Sequence, residues 1–247
     1  MSVDLGVSGG VATLSLDRPD EFNAIDIGLA RSLERRVNEI AASDAEIVVL
    51  RASGRGFCAG GDVRAMAAAA DPSAYLDQLV EAAHRALTAL RALPQPVVAR
   101  VQGAVAGGGI GLMLTADIAI ASEKAHFTPA YGAIGLSPDC GGTALIADAV
   151  GDRRARAFFL LGDRLSADTA AEWGLVTRTV PAESLDEAVD GAVRQILAQG
   201  ADAPRATKRL LGFDGTYAER LAAERLSIVD TSRTAHARTQ ITAFANR

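Results

Sequence analysis

The sequence predicts an α/β fold. Three observations carry that prediction. Short β-branched runs alternate with segments of helical period. Two glycine-rich loops, Phe57-Cys58-Ala59-Gly60-Gly61-Asp62 and Gly107-Gly108-Gly109-Ile110-Gly111, each sit between such a run and a helix. The pattern turns mainly helical only after residue ~150, so strands and helices are interleaved rather than blocked apart.

The elements follow in order. Val3–Val7 and Val11–Leu16 read as strands joined by Ser8-Gly9-Gly10, a hairpin signal. Arg18-Pro19-Asp20 breaks the run. Asp26 is placed to cap a helix whose apolar positions are Leu29, Leu33, Val37 and Ile40. Ile47-Val48-Val49-Leu50 is a buried-strand run, and the first glycine loop follows it. Asp71-Pro72 starts the next helix, with Pro tolerated in the first turn. Leu76, Leu79, Val80, Ala83, Leu87 and Leu90 mark its buried face, and Pro94-Gln95-Pro96 ends it. Val97–Val101 is a strand, Gly109–Thr115 a helix and Ile118–Ala121 a strand. Ser166 caps Ala167–Trp173, and Gly174 closes it. Val176–Val180 is the last strand. Ser184-Leu185-Asp186-Glu187 fits a capping box for a helix through Leu197. Thr216–Phe244 reads as one or two further helices.

Composition sets bounds. The chain has 247 residues, 49% of them hydrophobic, enough for one large domain or a core with a small helical appendage. A net charge of −5 argues against a nucleic-acid surface. Arg153, Arg154 and Arg156 read as a solvated helix face. The two cysteines, Cys58 and Cys140, read as free thiols in a reducing cytosol, without a neighbouring His and Asn to make either a nucleophile. The first ten residues show no secretion signal, and no segment reaches the ~18 uncharged apolar residues of a membrane span. The expected location is cytoplasmic. No metal-ligand cluster is visible.

The glycine loops carry the chemistry. Glycine removes the Cβ wall, so a ligand can approach the backbone. Two N–H groups aimed at one point would make an oxyanion hole for a carbonyl oxygen that gains charge. A dinucleotide fingerprint needs Gly-x-Gly-x-x-Gly early in a βαβ unit, whereas this run is Gly-x-Gly-x-Gly in mid-chain. A phosphate loop needs a Gly-Lys-Ser/Thr ending, which is missing. A purely structural turn stays open for either loop alone.

Residues 51–62 (Arg-Ala-Ser-Gly-Arg-Gly-Phe-Cys-Ala-Gly-Gly-Asp), residues 94–120 (Pro-Gln-Pro-Val-Val-Ala-Arg-Val-Gln-Gly through Ala-Asp-Ile-Ala-Ile), residues 134–143 (Ile-Gly-Leu-Ser-Pro-Asp-Cys-Gly-Gly-Thr) and residues 171–176 (Ala-Glu-Trp-Gly-Leu-Val) resemble signatures of the enoyl-CoA hydratase/isomerase, or crotonase, superfamily. The resemblance covers nearly the whole chain. It implies a spiral core of ββα units over residues 1–190, a helical trimerisation region over 191–247, and a homotrimer or dimer of trimers. It implies an acyl-CoA thioester substrate, with coenzyme A as part of that substrate and no tightly bound cofactor. The oxyanion-hole amides would fall on Gly61 and Gly108, and the CoA grip on Phe22, Ala24, Ala59, Gly61, Asp62 and Val63. Acyl-pocket walls would come from residues 64–85 and 131–136. Arg247 reads as a frayed terminal charge, with the resemblance offering, as the alternative, the basic residue that reaches a neighbour's CoA phosphate.

The acid/base positions depart from the best-known pattern. Hydratases of this superfamily carry two glutamates, where this chain has Gly111 and Tyr131. Asp139 is the remaining carboxylate. By itself it reads as a helix N-cap ahead of Cys140-Gly141-Gly142-Thr143. An Asp at this place moves protons in dienoyl-CoA isomerases and a ring-oxepin isomerase, and attacks as a nucleophile in 4-chlorobenzoyl-CoA dehalogenase. With both glutamates gone, the resemblance favours Asp139 as the proton shuttle of an enoyl-CoA isomerase, shielded by Ile134 and Leu136. A hydratase with displaced groups, a hydrolase or dehalogenase with nucleophilic Asp139, and a CoA-binding scaffold without catalysis remain alternatives. The dehalogenase has a His at the place of His84. Here His84 reads as partly buried packing, with a base as the alternative. Tyr131 reads as a pocket wall or a hydrogen-bond partner of Asp139. His126 and His236 read as ordinary surface or packing residues.

Overall fold

The computed structural model describes residues 2–246. Strands β1 (Val3–Ser8) and β2 (Val11–Leu16) form the expected hairpin. Asp26 caps α1 (Ile27–Ala41), accepting the Leu29 N–H at 2.6 Å. Strand β3 (Ile47–Ala52) leads into the first glycine loop and the short α2 (Val63–Ala68). Asp71 caps α3 (Pro72–Arg91) through Ser73 and Ala74. Then come β4 (Val97–Val101), β5 (Ala104–Ala106), α4 (Gly108–Leu114), β6 (Ile118–Ser122) and β7 (His126–Thr128). The remainder is α5 (Gly142–Val150), α6 (Asp152–Leu161), β8 (Leu165–Ser166), α7 (Ala167–Trp173), β9 (Arg178–Val180), α8 (Leu185–Leu197), α9 (Asp202–Leu211), α10 (Tyr217–Ser232) and α11 (Ala235–Ala245).

The main sheet has the order β1-β2-β3-β4-β6-β9, parallel except for the β1/β2 hairpin. Both faces of its centre are covered. Val48, Leu50, Val97 and Ala99 face α1 and α3, whereas Ile47, Val49, Val98 and Ile120 face Leu185, Val189, Ala192 and Val193 of α8. This explains why β3 reads as an unbroken apolar run: alternate residues enter different cores. The expected boundary at 190/191 falls inside α8, which packs on the main sheet.

A second sheet, β5-β7-β8, was not legible in the sequence, because strands of two or three residues carry no period. It matters for the site. Phe57 and Cys58 donate to the Ala104 carbonyl, and Ala106 donates back to Cys58. The first glycine loop is thereby stitched to the start of the second. The expected capping box at Ser184 does not form. Ser184 closes a 3₁₀ turn with αR backbone and its side chain makes no cap bond. A full capping box stands instead at Thr216 and Glu219, ahead of α10.

Asn23 anchors the turn between β2 and α1. It is fully buried, has φ of 56°, donates to Ser53 and Gly56, and accepts the Arg18 N–H. Asn23→Ala strands all three partners and puts a Cβ without a polar tip into left-handed backbone. The expected loss is about 3 kcal/mol of stability, read as a lower urea midpoint at unchanged slope.

Candidate active site

The two glycine loops meet at one cavity of about 280 Å³. Gly60, Gly61, Gly107 and Gly108 form one side. The other walls are Met66, Leu76, Leu79, Val80 and Ala83 from α2 and α3, together with Ala130, Tyr131, Ile134 and Leu136. Asp139 and Cys140 close it. The loops touch because they lack side chains: a Cβ on Gly60 would lie 2.8 Å from the Ala106 carbonyl and 3.2 Å from the Gly108 nitrogen. Gly60 also has φ of 91°, which an L-residue rarely adopts.

The direction of the Gly61 amide follows from a parallel bridge with Ile25. Ile25 donates to the Gly60 carbonyl at 2.7 Å, and Asp62 donates to the Ile25 carbonyl at 2.9 Å. The Gly60 carbonyl and the Gly61 N–H belong to one trans peptide plane. Fixing the carbonyl on Ile25 therefore turns the N–H to the opposite side. Gly108 is the first residue of α4, where N–H groups have no intrahelical acceptor. Neither amide has an acceptor among the described residues. The cavity thus borders two unspent donors, one of them at a helix start.

Asp139 is not a helix cap. The first turn of α5 is preceded by Gly141, and the Asp139 carbonyl, not its carboxylate, takes the Gly142 N–H. The carboxylate instead accepts the Tyr131 phenol on Oδ1 at 2.5 Å. That same oxygen lies 3.6 Å from where a Cβ on Gly108 would stand. The carboxylate, the phenol and the Gly108 turn are therefore immediate neighbours. Burial, then the charge of Asp139, push the Tyr131 phenol well above its ordinary range, so it stays a proton donor on the carboxylate. Cys140 is pushed up by the same two causes in the same order, and burial pushes Cys58 up to about 12. Both thiols are free, buried and neutral.

Position 111 closes against a second carboxylate. A Cβ there would collide with the Cys140 carbonyl. His84 does not line the cavity; its neighbours Val80 and Ala83 do. It is exposed rather than packed, and its Nε2 accepts the Cys140 N–H at 3.2 Å, which places the ring proton on Nδ1. It braces the Asp139 loop from outside the wall. Ile134 and Leu136 line the cavity but stay 49% and 37% exposed, so they shield Asp139 incompletely in the single chain.

The residues expected to grip CoA divide into two groups. Ala59 and Val63 are exposed at the cavity, and Phe22 lies under the Arg55 guanidinium, 4.3 Å from its ring centre. Ala24 and Asp62 are spent internally: the Ala24 carbonyl takes Arg18 Nη1, and Asp62 takes Arg18 Nη2 and caps α2 through Ala65. Arg247 lies outside the described residues. Among the described residues no group of three or more His, Cys, Asp or Glu side chains could hold a metal ion, and no helix is long and apolar enough to cross a membrane.

One signal was hidden from the sequence. Among the described residues, the non-glycine residues with left-handed backbone are Phe22, Asn23, Ala130 and Cys140. The first pair lies in the turn bonded to the first loop, Ala130 precedes Tyr131, and Cys140 follows Asp139. Strain of this kind collects where a fold over-determines functional geometry.

The profile described as "Enoyl-CoA hydratase/isomerase" matches residues 6–247. A trans-2-decenoyl-[acyl-carrier-protein] isomerase of Streptococcus mutans is 34% identical over 209 residues, 83% of this chain and 79% of that protein. A 1,2-epoxyphenylacetyl-CoA isomerase of Escherichia coli is 36% identical over 196 residues, 78% of this chain and 75% of that protein. A crystal structure of enoyl-CoA hydratase from Bacillus anthracis superposes with a TM-score of 0.93 at 26% identity, covering 100% of this chain and 96% of that one. The paired loops, the interleaved sheet and the C-terminal helices thus have one common source: the chain belongs to the enoyl-CoA hydratase/isomerase family, with the crotonase fold.

Proposed function

We propose that this protein is an enoyl-CoA isomerase in which Asp139 carries a proton between two carbons of an acyl thioester. The observation that carries the reading is the Asp139 carboxylate, held by Tyr131 beside the Gly108 turn, on a cavity whose described lining holds no other carboxylate. The thioester oxygen accepts from the Gly61 and Gly108 amides. Asp139 takes a proton from C2 of a 3-enoyl thioester, and the electron pair moves onto that oxygen as a dienolate. The same carboxylic acid then returns the proton at C4, leaving the double bond between C2 and C3. Each oxyanion donor in sites of this type is worth on the order of 10²–10³ in rate. The apolar walls suit an unsubstituted acyl chain. CoA enters as part of the substrate. The exposed apolar side chains of the last helices, among them Leu211, Leu226, Ile228, Ile241 and Phe244, serve as contacts between copies in a homotrimer or dimer of trimers, and the enzyme works in the cytoplasm.

The isomerase names of two relatives agree with this reading, and the crowding at Gly111 favours it over hydration. The test is turnover of a 3-enoyl-CoA in deuterated, ¹⁸O-labelled water. The expected product is the 2-enoyl isomer, with deuterium gained at most at the exchanging carbons and no ¹⁸O. With a 2-enoyl-CoA offered in the same water, a 3-hydroxyacyl product carrying ¹⁸O, together with no turnover of the 3-enoyl-CoA, establishes a hydratase instead. Label in the Asp139 side chain after one turnover establishes a nucleophile. Binding of CoA thioesters without turnover across a broad enoyl-CoA panel establishes a scaffold.

A further inference from the structure

Arg18 lies outside the cavity, yet it holds both sides of the bridge that aims the Gly61 amide. Nη1 donates to the Ala24 carbonyl at 2.6 Å and lies 3.1 Å from Asp26 Oδ2. Nη2 donates to Asp62 Oδ2 at 3.1 Å. Ala24 and Asp26 flank Ile25, the residue bonded to Gly60 and Asp62. Asp62 directly follows Gly61. One planar fork therefore spans the turn on one side and the glycine loop on the other. The ends are largely dry, with the Arg18 side chain 19% exposed and that of Asp62 12% exposed. The other Asp62 oxygen starts α2 through Ala65.

Two adjacent glycines have no side chains to fix their peptide planes, and Gly60 sits at positive φ. Their orientation must come from outside, and the Ile25 bridge supplies it. Among the described residues, Arg18 is the side chain that bonds to both strands of that bridge. We propose that Arg18 is a positioning residue for the Gly61 N–H, setting how closely that donor follows the thioester oxygen as charge builds. The proposal rests on the reading of Gly61 as an oxyanion donor. Lysine keeps the charge but not the fork: a single ammonium cannot hold acceptors on both strands in one plane. Removal of the charge leaves Asp26 and Asp62 without the cation they share, which is why the charge-conserving variant is the informative one.

The experiment compares wild type, Arg18→Lys and Asp62→Asn. The probe is 4,4-dimethylpent-2-enoyl-CoA labelled with ¹³C at the thioester carbon. It has no hydrogen at C4 and cannot isomerise. Isotope-edited infrared difference spectra read the lowering of its carbonyl stretch on binding, and kinetics use an ordinary 3-enoyl-CoA. In Arg18→Lys the carbonyl lowering should shrink to less than half. kcat should fall about 10²-fold, the scale of one lost oxyanion donor, with KM within about threefold. Asp62→Asn should move both readouts the same way by less. The double variant should be no worse than Arg18→Lys, since both cut one link. An unchanged carbonyl lowering in Arg18→Lys, or a loss expressed only in KM or thermal stability, overturns the assignment. If Arg18→Lys does not fold, Asp62→Asn decides by the same spectrum. Wild type without any lowering overturns the oxyanion reading and this proposal together, whereas lowering equal in wild type and variant overturns this proposal alone.

Discussion

Asp139→Asn is expected to lower kcat on a 3-enoyl-CoA by about 10³–10⁴-fold, toward the upper end for loss of a positioned proton carrier. Thioester affinity should stay within a few-fold. The substitution is nearly isosteric, and the geometry explains why it isolates one function. The Tyr131 phenol donates to Oδ1, and an amide oxygen accepts that bond as a carboxylate does. The loop keeps its brace from His84, because that bond reaches the Cys140 N–H and not the side chain of residue 139. What disappears is the carboxylate oxygen not bonded to Tyr131, the one placed to receive and return the proton. Tyr131→Phe is the companion. It frees the carboxylate to rotate but leaves its chemistry, so about a tenfold fall in kcat is expected. In wild type, the raised phenol should give no alkaline limb near the ordinary tyrosine pKa of about 10. Stopped-flow or coupled kinetics across pH, with calorimetric binding of a saturated acyl-CoA, provide both readouts. Retention of more than a tenth of wild-type kcat in Asp139→Asn removes Asp139 from the chemistry.

The contrast between Asp139 and Ser184 shows what sequence can and cannot carry. Asp26 and Ser166 are legible as caps because each directly precedes a helical pattern, and their side chains accept N–H groups of the first turn; Asp71, legible only as a helix start, caps α3 in the same way. Ser184 has the right identity and the right Glu187 three residues later, but Ala182–Ser184 already turns, so the side chain points elsewhere. Asp139 fits a cap by local pattern too. Only the tertiary neighbour Tyr131, itself brought in by left-handed Ala130, shows that the carboxylate looks into the cavity. The paired glycine loops were legible because close backbone approach demands glycine itself. The Arg18 fork was not: its partner Asp62 is 44 residues away, and no spacing rule links a turn after β2 to a loop after β3. The place of His84 is hidden for a related reason. The apolar stripe of α3 predicts which residues face inward, but not that an exposed ring at its edge would meet the backbone of a loop 56 residues later.

Gly111 carries the second large expectation, and it bears directly on the hydratase alternative. Hydratases of the family have a glutamate here, so Gly111→Glu formally restores half of their acid/base pair. In this chain the step should fail. A Cβ at position 111 points into the Cys140 carbonyl, and its next contacts are Cys140 carbonyl carbon and Cβ at 3.0 Å. These are backbone and near-backbone atoms on a loop with left-handed Cys140 and Gly141 in succession. They cannot rotate away as the end of a flexible side chain would. Any side chain at 111 must push α4 and the Asp139 loop apart, shifting Gly108 on one side and the carboxylate on the other. Overpacking against a fixed neighbour costs about 3 kcal/mol at the upper end of the usual range, which lowers Tm by roughly 6–12 °C in a domain of this size. Gly111→Ala is the sharper probe, since it adds only the Cβ. Gly6→Ala is the control, because a Cβ there meets nothing within 4 Å and Gly6 is not at positive φ. Calorimetric scans should show Gly111→Ala far below wild type and Gly6→Ala close to it. Gly111→Glu should gain no water addition, alone or with Tyr131→Glu, because the second change also removes the phenol that holds Asp139. A Gly111→Ala protein melting within 1–2 °C of wild type, less than the shift that ~1 kcal/mol produces, means the two loops yield easily. A hydratase glutamate then has room to act, and the absence of one is no longer enforced by the fold.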